Sequence, residues 1–127
     1  MQLKQQRPKF LNLLKIHLPV TGITSIAHRI SGVLLFLAIP GFIYLFQLSL
    51  RDESTFNGIS ELLANSAVKV IVTLLVWALA HHLLAGIRYL LTDIAIGLDL
   101  PAARASAWLV NSASACIFLL IAVVMWL

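Results

Sequence analysis

Apolar residues fall in three long runs separated by two polar breaks, with a mixed polar stretch ahead of the first run. From Met1 to about Thr21 the chain is basic and polar, and Pro8 and Pro19 break any long helix there. From Ile23 it turns apolar, and Ile30 to Leu50 holds no formally charged residue, a stretch long enough to cross a bilayer core, which takes ~20 residues. Pro40 lies near the middle of this run and predicts a kink that membrane helices tolerate. Arg51, Asp52, Glu53, Asn57, Gly58 and Glu61 predict a short polar connection. A second apolar run from about Ala64 to Leu91 is interrupted by Lys69, His81, His82 and Arg88. Asp93, Gly97, Asp99 and Pro101 mark the next break, and Ala105 to Leu127 carries no charge at all. The expected architecture is an all-α integral membrane bundle, one domain over 1–127. It comprises a basic N-terminal interfacial arm (1–22) and three transmembrane helices (23–50, 64–91 and 105–127).

Composition points the same way. Hydrophobic side chains make up 61% of the chain and charged ones 11%, and the mean hydropathy is +0.98, outside the range of a soluble domain. The net charge of +4 does not predict nucleic-acid binding, because Lys4, Arg7, Lys9 and Lys15 cluster just before the first apolar run, where they act as a topology signal. Arg88 and Arg104 flank the second break, against Arg51 and Lys69 on the other side, so the N-terminus is expected on the cytoplasmic or matrix face. Cys116, the single cysteine, excludes a disulfide framework or an iron–sulfur cluster built from this chain alone. No cleavable signal peptide is expected, since the first apolar run is too long for one.

Polar and ionisable side chains inside membrane helices are costly, and two clusters stand out. Ser25, His28 and Arg29 open the first helix; three- and four-residue spacings let them converge on one side near the inner interface, as donors to a carbonyl, carboxylate or propionate. The same spacing also fits Arg29 snorkelling to lipid phosphate while Ser25 and His28 satisfy neighbouring backbone. In the second helix, at about 100° per residue, His82, Gly86, Tyr89 and Asp93 share one stripe, and His81, Ala85, Arg88 and Thr92 share another. A neutral imidazole at His82 can ligate haem iron, and Gly86 one turn away leaves room for a flat macrocycle. Equally, His82 can bond a neighbouring helix while Gly86 permits close packing.

Three stretches resemble the cytochrome b membrane subunit of bacterial succinate dehydrogenase, complex II: "QRP" at Gln6 to Pro8, "LPVTGITSIAHRISG" at Leu18 to Gly32, and "HxxxGIR" followed by an aspartate from His82 to Asp93. With the three-helix layout, the resemblance extends over nearly the whole chain. It implies quinone contacts at Ser25 and Arg29, a haem-propionate neighbour at His28, and an axial ligand to haem iron at His82 and not His81. Tyr89 stands where many members carry a histidine after "GIR".

The resemblance further implies haem b shared with a smaller membrane anchor subunit that supplies the second axial histidine. It also implies an iron–sulfur subunit and an FAD flavoprotein on the inner face. Ubiquinone would be the substrate reduced, with electrons from succinate. The chain is expected to be non-catalytic on its own and to lie in the bacterial inner membrane, among lipid, with its N-terminus cytoplasmic. Two other readings remain at this stage: the anchor of a fumarate reductase, and a haem-free structural anchor or transporter subunit whose polar residues serve helix packing.

Overall fold

An apolar backbone with no water to bond to is satisfied in a bilayer as helix, and the computed structural model, which describes residues 17–127, is helical through all three apolar runs. The "QRP" stretch and the cluster of Lys4, Arg7, Lys9 and Lys15, hence most of the expected interfacial arm, lie outside the described residues. The elements are α1 (Val20–Ser49, 30 residues), α2 (Glu53–Ala64, 12 residues), α3 (Ser66–Asp93, 28 residues) and α4 (Leu100–Trp126, 27 residues). At 1.5 Å per residue the three long helices reach about 40 Å, more than the hydrocarbon thickness of ~30 Å, so their ends enter the headgroup region. α1 continues through Pro40 without a break.

Side-chain caps fix the starts of α3 and α4. Asn65 accepts from the Ala67 amide at 2.9 Å, and Asp99 from the Ala102 amide at 3.1 Å, with Pro101 in the first turn of α4. α3 stops where Ala95 takes φ 64°, and its last turn closes with the Ile96 amide on the Leu91 carbonyl at 2.9 Å. Gly97, at φ 75°, completes the reversal into α4, a conformation that costs glycine nothing.

α3 lies between α1 and α4 and packs on both. The buried residues are small or polar: Ala78, Ala85 and Ala107 are fully covered, as are Thr24 and Ser31, with His81, Ser114 and Thr73 close behind. Large apolar residues such as Phe36, Phe42, Leu109 and Val124 are more than half exposed instead. Small residues let helix backbones approach, and large ones outside suit an acyl-chain solvent, so the packing is that of a membrane bundle. The expected all-α fold with three membrane-spanning helices is therefore observed.

One expectation is corrected. The polar connection after the first apolar run is itself a helix, α2. Asp52 caps it by accepting from the Thr55 amide at 2.8 Å, while the Thr55 hydroxyl donates to the Asp52 carbonyl at 3.0 Å. The Thr55 amide holds the Asp52 carboxyl below its usual range, so the cap stays ionised at neutral pH and is lost only as pH falls through that lowered value. Phe56, Ile59, Leu62 and Leu63 recur at helical spacing along one side, and Glu53, Asn57 and Glu61 along the other. The acidic residues and Gly58 masked that period in the sequence.

Candidate functional site

The α1–α3 seam brings His28 and His82 together. Their rings stack with centroids 4.2 Å apart and planes 9° from parallel, and Tyr89 stands at 5.2 Å from His28, tilted by 57°. His82 reaches α1 because Gly32 opposes it: a Cβ at Gly32 would lie 3.0 Å from His82 Cε1, so any larger residue would push the imidazole away.

Hydrogen bonding fixes the His82 tautomer. Nδ1 lies 3.2 Å from the His28 carbonyl and 3.3 Å from Ser31 Oγ. A carbonyl only accepts, and the Ser31 hydroxyl already gives its proton to that same carbonyl at 2.8 Å, so Nδ1 must carry the ring hydrogen. Nε2 then holds a lone pair and bonds to no described residue. An imidazole with one nitrogen tied back to the protein and the other unshared is the arrangement that metal-ligating histidines use.

Gly86 plays a different part from the one its spacing suggested. A Cβ there would lie 3.7 Å from His28 Nε2, so the space over this glycine belongs to the His28 ring. Face-to-face rings 4.2 Å apart also cannot aim their nitrogens at one iron from opposite sides. His28 is therefore directed at α3, where its ring meets His82 and Tyr89.

Arg29 is exposed and Ser25 half-buried. Most hydroxyls inside the long helices, including Thr24, Ser31, Thr73, Thr92 and Ser114, donate to a carbonyl three or four residues back. Ser25 has no such bond to any described residue, which leaves its hydroxyl available. The two residues are about 40° apart around α1, on a side where a ligand can meet both.

A second polar node ties the three long helices together and was not foreseen. Asn111 Oδ1 on α4 lies 3.2 Å from Thr24 Oγ1 on α1 and 3.2 Å from His81 Nε2 on α3. His81 is 2% exposed and packs its ring against Trp77 at 5.5 Å. Adjacent side chains diverge by about 100° around a helix, so fixing His81 against α4 sets the rotation of α3 that aims His82 at α1. The legible signal was Asn111 itself, the sole amide in the uncharged third run.

Comparison with known proteins gives this seam a context. Residues 4–122 match the family described as succinate dehydrogenase/fumarate reductase transmembrane subunit. The succinate dehydrogenase cytochrome b556 subunit of Coxiella burnetii is 37% identical over 122 residues, covering 95% of this chain and 98% of that protein. Its counterpart in Paracoccus denitrificans is 32% identical over 101 residues, 80% of this chain and 78% of the relative. That of Rickettsia bellii is 30% identical over 109 residues, 84% and 83% respectively. With its three apolar helices and a match over nearly its full length, the chain belongs to the succinate dehydrogenase/fumarate reductase transmembrane subunits, as a cytochrome b membrane anchor.

Proposed function

We propose that this anchor holds one face of a haem b through His82 Nε2 and forms part of a ubiquinone-reducing site with Ser25 and Arg29. The observation that carries the reading is the placement of His82 Nδ1 against the His28 carbonyl and Ser31, which favours the ring hydrogen on Nδ1 and a lone pair on Nε2. The residues fit the group: a neutral imidazole brings no charge into the membrane, and Gly32 gives the ring its place. Bound there, haem b supplies a one-electron redox centre. A second histidine would come from a smaller membrane subunit; the stacking of His28 on His82, which keeps the two rings from facing one iron, supports that reading. His28 lies in the vicinity of a haem propionate.

Arg29 and Ser25 act on the quinone. The guanidinium favours negative charge developing on the headgroup as it is reduced, and the hydroxyl donates to a quinone oxygen. Succinate oxidation, on an FAD flavoprotein and an iron–sulfur subunit docked at the inner face, supplies the electrons. The N-terminus then faces the cytoplasm, with the basic residues before α1 and those flanking the α3–α4 loop on the same side. The complex belongs to the bacterial inner membrane.

The reduced absorption spectrum of the purified complex tests the haem. A sharp α-band from a low-spin iron with two imidazole ligands is expected. An intact complex that contains this chain and has no b-type band would reject the proposal.

A further inference from the structure

Among the described residues Arg88 is a buried cation without an anion. It is 8% exposed inside α3, and its contacts are all neutral: Nε donates to Ser106 Oγ at 3.0 Å, Nη2 donates to the Ala103 carbonyl at 3.2 Å, and its carbon Cζ stands 5.2 Å from the Tyr89 ring. No ion pair joins it to any described residue. A guanidinium cannot shed its proton to escape burial, so a membrane position such as this calls for a counter-charge.

Arg88 also lines a groove of about 300 Å³ between α3 and α4. Its walls are Leu84, Ile87, Leu91, Leu109 and Ala113, and nearly all of its surface is apolar. Arg88 precedes the end of α3 by five residues, about 7 Å of helix, which puts the charge near the boundary between headgroups and hydrocarbon, with the apolar groove passing it from the loop at Ile96 and Ala102 and running deeper alongside α4. A fixed cation at that depth, above a slot for hydrocarbon, matches an amphiphile with an anionic head.

We propose that the α3–α4 groove is a binding site for an anionic phospholipid, its phosphate paired with the one guanidinium nitrogen, Nη1, that has no partner among the described residues, and one acyl chain lying in the groove. The site is on the side of α3 opposite to His82 and stands independently of the haem and quinone reading. A lipid fits better than a carboxylate from a partner chain, because the groove continues the charge inward with a hydrocarbon-lined slot instead of ending at the cation.

The whole complex, stripped of native lipid, would be given equal amounts of phosphatidylglycerol and phosphatidylcholine with identical chains and weighed by native mass spectrometry. The expected result is that Arg88→Gln retains one phosphatidylglycerol fewer per anchor than the unmodified protein. Ala113→Phe fills the groove and leaves the guanidinium in place, and should lose the same lipid; it decides the question alone if Arg88→Gln does not assemble. Excess inorganic phosphate should not displace the lipid. An unchanged phosphatidylglycerol count in every variant that assembles would overturn the proposal and point to a partner carboxylate. Displacement by phosphate, with Ala113→Phe unaffected, would overturn it in favour of a simple anion site.

Discussion

Replacing His82 by leucine is expected to abolish the paired-imidazole spectrum of the complex while the bundle still assembles. Leucine is close to imidazole in size, and Gly32 leaves room opposite it. The lost bond from Nδ1 is one between neutral groups, worth ~1 kcal/mol, and Ser31 keeps its own bond to the His28 carbonyl, so no buried donor is orphaned. The consequence for the proposed haem would be far larger, since His82 Nε2 is the ligand it would lose. His81→Leu is the comparison: it cuts the bond to Asn111 that helps set the rotation of α3 but removes no proposed ligand, so its band should fall less than that of His82→Leu. His28→Leu should shift the haem potential and keep both axial ligands. Haem content and the reduced α-band measure all three. A His82→Leu complex with the full band would remove His82 from the proposal.

Quinone reduction should fall most in Arg29→Leu, with the haem band unchanged. A charge-assisted hydrogen bond is worth ~1.5–3 kcal/mol, about ten- to hundred-fold in rate or affinity. Ser25→Ala removes a neutral bond of ~1 kcal/mol, about five-fold. Ser25 makes no side-chain bond to described residues, so its removal costs the helix little and the expected effect falls on the proposed quinone contact. Succinate-dependent ubiquinone reduction by the intact complex reads both. Turnover equal to the unmodified protein in both variants would reject this quinone site.

The membrane spans were legible because a bilayer demands long charge-free runs, and nothing in a soluble core imitates them at this length. α2 was not, since Gly58 and three acidic residues within ten positions read as a loop when charge is weighed before period. The separation of His81 from His82 followed from helix geometry alone, and the structure does turn them to different neighbours, α4 and α1. What spacing could not give was the partner each residue meets across a helix interface. It grouped His28 with Ser25 and Arg29 as three and four residues apart, whereas the stacked contact with His82 draws His28 to α3. It left the space above Gly86 open to a macrocycle or to close helix packing, and a Cβ there would meet the His28 ring at 3.7 Å. Asn111 and Ser31 escaped notice because one amide or hydroxyl in an apolar run acquires meaning only through what faces it.

On the proposed reading this chain would supply one haem ligand and a second chain the other. The most direct test of that reading is to express the chain alone in a haem-replete membrane and compare its reduced spectrum with that of the same chain co-expressed with the smaller anchor. The expected result is a paired-imidazole α-band only in the co-expressed pair, and its loss in His82→Leu. A paired-imidazole band from the chain alone, surviving His81→Leu and vanishing in His28→Leu, would contradict it and make the haem internal to this subunit.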